Sequence, residues 1–215
     1  MKPHLEEVRL EHRQCLYEPG RPPGRLYFPE EGLVSLQIGL SGDSSIEAAM
    51  VGREGLVGLP LLAADTQPPG RAFVQAPGRA LAIPTASLAE IMDRVPALEA
   101  LMARHLAALL AQLFQTAACN AVHAAEQRLA RWLLAAADRT AGKPVPLTHE
   151  TLADMLGVGR PTVSIVARNL QSGGLVAYRR GLIEVANRAG LEKVACPCYG
   201  AVRHAYQRLL PHSYA

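Results

Sequence analysis

Cysteine, aromatic residues and long uninterrupted apolar runs are all scarce in this chain. The four cysteines, Cys15, Cys119, Cys196 and Cys198, are too few and too scattered for the disulfide framework of a small secreted domain. Reduced thiols and a cytoplasmic location are therefore expected. The polar, charged start MKPHLEEVRLEHRQ does not read as a secretory signal. Arg104 and His105 interrupt the longest apolar run, so neither a bilayer span nor a membrane partner is expected. Cys196-Pro197-Cys198 is too tight to supply more than part of a metal site. No motif sets a nucleophile beside a base, and no glycine loop is built to cradle a phosphate, so no enzyme activity is expected.

What the chain does have is enough apolar content for a real core: 49% hydrophobic over 215 residues, room for one or two domains. The net charge of +3 is unevenly spread. Residues 1–94 hold nine Lys and Arg against twelve Asp and Glu; residues 95–215 hold thirteen against seven. Between Asp154 and Glu184 there is no acid, but there are Arg160, Arg168, Arg179 and Arg180. That asymmetry suits a polyanion bound at one end of the molecule.

From residue 5 to about 84, short runs rich in Val, Ile, Leu, Tyr and Phe alternate with glycine and proline turns: CLYEPG, RLYFPEEG, LVSLQIGLSG, SIEAAMVG, RAFVQAPG and RALAIP. Turn signals every eight to twelve residues predict a β-sandwich or barrel. Gly20, Gly32, Gly42, Gly52 and Gly78 are corner candidates. A helical period follows over 85–96, with Thr85 or Ser87 as its cap. A long helix is predicted from Pro96 to about Val122, with Leu98, Leu101, Leu106, Leu109, Leu113 and Phe114 returning at three- and four-residue steps. A helix this apolar must be covered on most sides, by the β-domain on one and by its own copy on the other. Residues 124–140 predict another helix, with Leu129, Trp132, Leu133 and Ala136 inward and Glu126, Arg128, Arg131 and Asp138 on the opposite face.

The segment LTHETLADMLGVGRPTVSIVARNLQSGG, 147–174, reads as two helices around a tight turn. Thr148 is a good N-cap, Gly157 permits the turn, Val158 plugs the corner, and Pro161 is tolerated in the first turn of the second helix. This is helix-turn-helix spacing, in which the second helix enters the DNA major groove. The outer face of that helix offers Arg160, Thr162, Ser164 and Arg168. Two short apolar strands around Arg179-Arg180-Gly181 then predict a hairpin, the wing, with two arginines at its tip. The tail reads as a short helix, a break at Pro197 and a second helix with Val202, Tyr206 and Leu209 inward.

Taken in order, LYEPG…LYFPEEGLVSL, MVGREGLVG, AEQRLARWLL, the helix pair and the RRG wing make the chain resemble the cyclic-AMP receptor protein and fumarate-nitrate regulator (Crp/Fnr) superfamily of bacterial transcription factors. The resemblance implies an α+β chain with four parts: an N-terminal jelly-roll, cyclic-nucleotide-binding-like sensor domain over 1–95, a dimerisation helix over 96–122, a winged helix-turn-helix DNA-binding domain over 123–190, and a C-terminal helical extension over 191–215. It implies a homodimer on a palindromic site in double-stranded DNA, with RNA polymerase as a further partner. It places Arg160, Ser164 and Arg168 at base-reading positions, and Thr148, Thr162, Arg179 and Arg180 against phosphates. Pro161 stands where the family's best-known readers carry a glutamate, so the half-site should differ there.

At the sensor, the family's ribose-binding glutamate is replaced by Leu56, which cannot accept a hydroxyl's hydrogen bond, and this argues against cyclic AMP. Glu54, two positions early, and Arg71, within one residue of the phosphate-binding arginine, remain as an effector-site pair. Cys15 alone near the N-terminus argues against an iron–sulfur cluster, which usually needs four thiolates. His105 is a haem-ligand candidate by chemistry only; a histidine satisfied in a helix interface is the expected role. No cofactor is therefore predicted. A metal-dependent cupin enzyme would need histidines on the strands, and none lies between His12 and His105. The remaining alternative is an effector-binding or scaffolding protein whose helix pair binds another protein; the unbroken basic run favours DNA.

Overall fold

The computed structural model describes residues 2–40, 45–58 and 67–211. Gly42, a corner candidate, lies outside them. The N-terminal half is an antiparallel sheet of β1 (Glu6–Leu10), β2 (Cys15–Tyr17), β3 (Arg25–Gly39), β4 (Ser45–Val51) and β5 (Arg71–Pro84), in the order β1-β5-β3-β4 with β2 also on β5. Sequence punctuation predicted more and shorter strands. Instead RLYFPEEG and LVSLQIG are one strand, and RAFVQAPG and RALAIP are another. Pro29, Gly32, Pro77 and Gly78 mark bends inside the two long strands, whereas Gly20 and Gly52 lie between strands as expected of corners. The β3–β5 register shifts at Pro29/Glu31, Glu31/Leu33 and Leu33/Val34, which are bulges that let each strand turn a corner. Gly32 sits there at φ 96°, and a Cβ on it would lie 2.7 Å from the Ala76 carbonyl oxygen. Val34, Val51, Val57, Ala72 and Val74 fill the interior.

The helix α1 (Thr85–Arg94) follows without a side-chain cap; the Thr85 hydroxyl donates to the Pro23 carbonyl instead, at 2.6 Å. The long helix α2 (Pro96–Val122) has the predicted bounds. Its buried positions, Met102, His105, Leu109, Gln112, Thr116 and Cys119, step by three and four along one side. A second run at the same steps, Ala100, Ala103, Ala107, Leu110, Phe114, Ala117 and Ala121, is exposed. By length and composition alone α2 is apolar enough to cross a bilayer, with a mean hydropathy of 1.3, so Arg104 and His105 do not interrupt it as the sequence suggested. Two such residues are too few to offset so many alanines and leucines. The inner stripe shows what kind of helix it is: Gln112 donates to the Met50 carbonyl at 3.1 Å and accepts from Arg139 at 3.0 Å.

The C-terminal half comprises α3 (Ala125–Arg139), β6 (Val145–Pro146), α4 (His149–Leu156), α5 (Arg160–Ser172), β7 (Val176–Arg179), β8 (Leu182–Val185), α6 (Arg188–Val194) and α7 (Cys198–Leu209). Leu129, Trp132, Leu133, Leu152, Met155, Leu156, Val163, Val166 and Leu170 share a core with Leu33, Met50 and Ala76 of the β-domain. The two halves therefore pack as one body. Trp132 joins that core as expected, and its indole N–H also donates to Glu47 at 2.6 Å. The polar face predicted for α3 is not solvated. Arg128, Arg131 and Arg139 are buried, because the C-terminal helices and the β-domain cover them. Arg139 pairs with Glu54 at 2.7 Å, both side chains almost fully enclosed. Asp138 is held by Arg188 at 2.6 Å and by the Tyr199 hydroxyl at 2.8 Å. The α7 helix turns back along α2, with Tyr206 and Leu210 against Ala108.

Candidate nucleic-acid interface

The helix pair is built as the local chemistry requires. Thr148 is extended, and its hydroxyl accepts the Thr151 N–H at 3.0 Å, capping α4. Gly157 takes φ 60° and ψ 42°, the left-handed conformation that ends α4 and frees the chain to turn. Val158 donates its N–H back to the Ala153 carbonyl at 3.1 Å. Ala153 is buried at the crossing, where a larger side chain would push the helices apart. Pro161 lies in the first turn of α5, and Val163, Val166, Ala167 and Leu170 are its inner face.

The outer face of α5 leaves Arg160, Pro161, Thr162, Ile165, Arg168 and Asn169 exposed. Arg160, Thr162 and Arg168 thus lie on the predicted side. Ser164 does not face straight out: it is half-buried, and its Oγ lies 3.0 Å from the His149 Nδ1. The His149 ring in turn stacks on Tyr178, centroids 5.3 Å apart, and the Tyr178 hydroxyl donates to the Leu147 carbonyl at 2.8 Å. Ser164 therefore belongs partly to a strut between α4, α5 and the wing. Sequence reasoning missed Ile165, 59% exposed on the outer face, an apolar group placed as a thymine-methyl contact would need. Its signal was present: Arg160, Ile165, Arg168 and Asn169 fall on one side at helical spacing.

The wing is a two-residue hairpin, with Arg179 opposite Leu182 and both Arg180 (φ 51°) and Gly181 (φ 79°) left-handed. That is the turn matched to strand twist. Arg179 and Arg180 are exposed at its tip.

The two effector candidates are far apart in role. The Glu54 carboxylate is committed to Arg139 and to the Gly52 N–H at 3.2 Å. Arg71 donates to Gln37 at 2.9 Å and lies 5.7 Å from the Phe73 ring. It lines a cleft of about 460 Å³ shared by Ser45 of the β-domain and Thr148, Glu150 and Asp154 of the helix pair. On the other side of Arg71, a pocket against Leu109 and Leu113 of α2 holds only about 100 Å³, well below the few hundred Å³ of an ordinary ligand site. Leu56 is buried with Leu26, Ile83, Leu88 and Met102, a core residue. His105 lies under it: its Nε2 sits 3.2 Å from the Leu56 N–H, and burial pushes its pKa down. The expected satisfied histidine is therefore only half satisfied: Nε2 meets the Leu56 backbone, while the buried Nδ1 has no hydrogen-bond partner among the described residues.

Cys196 and Cys198 are not alone. Cys119 and His123, at the end of α2, meet them, so that all four candidate ligand atoms lie within 4.8 Å of one another. The remaining thiol, Cys15, is exposed on β2.

A capped helix pair with a basic outer face, a basic wing and a jelly-roll partner defines a winged helix-turn-helix DNA-binding protein. Residues 127–194 match the family model of the Crp-like helix-turn-helix domain. The fold is shared with FixK2 from Bradyrhizobium japonicum (18% identity, 89% of this chain and 98% of that one, TM-score 0.73). It is shared with a CRP-family transcriptional regulator from Thermus thermophilus (24%, 87% and 96%, 0.69). The c-di-GMP-responsive global regulator CLP of Xanthomonas campestris has it too (19%, 85% and 94%, 0.68). No curated protein sequence matches the chain. Residues 127–194 thus carry a Crp-like helix-turn-helix domain, and the chain as a whole shares its fold with these solved regulators.

Proposed function

We propose that the protein binds a palindromic DNA site as a homodimer, with α2 as the seam and α5 as the reader. The outer stripe of α2 carries this reading: seven apolar residues at heptad spacing, with Phe114 72% and Leu110 41% exposed. A second copy of the same stripe is its natural cover. Pairing there would set two α5 helices about 34 Å apart, one turn of DNA. Arg160 would pair with guanine O6 and N7, Arg168 would reach one turn further, and Ile165 would meet a thymine methyl. Ser164 keeps hydroxyl capacity beyond its bond to His149 for a base edge. Thr148, Thr162, Arg179 and Arg180 would hold phosphates, fixing register without reading sequence. As a regulator of this type it would act in the cytoplasm and meet RNA polymerase. Control would come from an anionic effector at Arg71, whose cleft is closed on one side by α4, so that occupancy bears on the helix pair. Cyclic AMP does not suit the chain, because Leu56 stands where the family's ribose-binding glutamate would and the pocket between Arg71 and α2 holds only about 100 Å³.

Selection of bound sequences from a random duplex pool, with the protein's mass measured in solution, tests the reading. The expected result is a two-fold symmetric consensus and a dimer. A monomer without preference over scrambled DNA would overturn it.

A further inference from the structure

The strongest feature unused by DNA recognition is the meeting of Cys119, His123, Cys196 and Cys198. The two pairs come from segments more than seventy residues apart. Cys119 and His123 are one helical turn apart, on the same side of α2's end. His123 is extended where the helix stops, which brings its ring inward. Cys196 lies between α6 and α7, and Cys198, on the other side of Pro197, opens α7. The three sulfurs are buried. Cys119 Sγ lies 3.4 Å from Cys196 Sγ, and Cys198 Sγ lies 3.5 Å from His123 Nδ1.

We propose that these four residues form a Cys3His site for one zinc ion, a structural clasp between the rod and the reader. Zinc bound tetrahedrally by sulfur at about 2.3 Å and nitrogen at about 2.0 Å spaces its ligand atoms at about 3.5–3.8 Å, close to the two distances above. A polynuclear iron–sulfur core is too wide for ligand atoms gathered this tightly. The donor set, three buried thiolates and an imidazole, is that of a structural zinc site with no open position. Its surroundings fit the charge. Gln115 Nε2 donates to Cys198 Sγ at 3.0 Å. Three thiolates and Zn²⁺ leave one negative charge, and the buried Arg131 acts on Cys119 electrostatically. The Arg131 Nε has no hydrogen-bond partner among the described residues.

Position gives the site its role. Its ligands flank the reader domain, residues 127–194, on both sides. One ion would therefore fasten the two ends of that domain to the last turn of α2, and start α7 on its path back along the rod. The clasp would set the angle at which the reader leaves the seam. It does not depend on DNA binding.

The test uses the full chain, purified under reducing conditions without chelator. Metal analysis is expected to find about one zinc per chain. Replacement by Co²⁺ should give the intense visible absorption and thiolate charge-transfer bands of tetrahedral sulfur ligation. Cys196→Ser and His123→Ala should each weaken metal retention by more than about tenfold, while Cys15→Ser retains the full ion. Should a ligand variant fail to fold, stripping the wild-type protein with a chelator and restoring Zn²⁺ should lower and then recover its melting temperature. A metal-free protein with three freely titrating buried thiols would overturn the proposal. So would a Cys119–Cys196 disulfide, or iron with acid-labile sulfide.

Discussion

The two stripes of α2 invert the usual order of a globular helix. The stripe packed inside the chain carries His105, Gln112, Thr116 and Cys119, whereas the exposed one is alanine, leucine and phenylalanine throughout. Inward polar groups are tolerable where they find partners: His105 meets the Leu56 backbone, and Gln112 bridges Met50 and Arg139. An outward apolar stripe has no such account within one chain. It teaches that the inner stripe joins parts of this molecule, and that the outer one is shaped for a surface that excludes water.

The largest test breaks the outer stripe. Leu110→Asp combined with Phe114→Asp should leave a folded monomer and weaken specific DNA binding about 10²–10⁴-fold, through loss of bivalency. Light scattering and a binding titration read both, and an unchanged dimer would move the seam elsewhere. On the inner side, Glu54→Leu strands the buried Arg139 and should cost about 3–5 kcal/mol in a denaturant titration. A cost below about 1 kcal/mol, typical of exposed pairs, would show that the pair is not enclosed.

The same inner joint should respond to pH. Burial pushes the Glu47 carboxyl up to about 7, against the pull of Ser35 and Trp132, which donate to it at 2.5 and 2.6 Å, and of Arg131 and Arg139. A raised acid pKa means that the fold favours the neutral form. That stability is complete below the ordinary carboxylate range and is lost as pH rises through about 7. The loss is about 3 kcal/mol at most. Glu47→Gln should flatten this slope between pH 5 and 8, with melting temperatures as the readout; a slope unchanged by the substitution would remove Glu47 from the account.

Smaller effects separate reading from holding at the DNA. Arg160→Ala should cost about 1–3 kcal/mol and relax one base position, leaving random DNA little affected. Arg179→Ala should weaken all duplexes alike and shallow the log–log salt slope by about one. Exchange of the two outcomes would exchange the two roles.

Much of this was legible in the residues. Thr148, Gly157 and Pro161 announce the helix pair because capping, left-handed turning and first-turn proline are local requirements that few other residues meet. The bounds of α2 and the Arg180-Gly181 hairpin followed for the same reason. The front domain was less legible. Pro29, Gly32, Pro77 and Gly78 mark bends within long strands while Gly20 and Gly52 mark turns, and a bulge and a turn use the same residues. At the candidate interface, the arginines on the outer face of α5 were visible from spacing. The engagement of Ser164 by His149 was not, since it depends on how α4 and α5 cross. The arginines of α3 looked solvent-facing, because nothing local reveals that α6 and α7 return to cover them.

The chain's own letters determined its helix and strand types, its basic reader and the apolar excess of its rod, because periodicity, capping and charge act between near neighbours. Only the folded molecule decided that Glu54 serves Arg139 rather than an effector, and that Cys119 and His123 join Cys196 and Cys198. Those are contacts between residues more than seventy positions apart, and it is the packing of whole elements that brings them together.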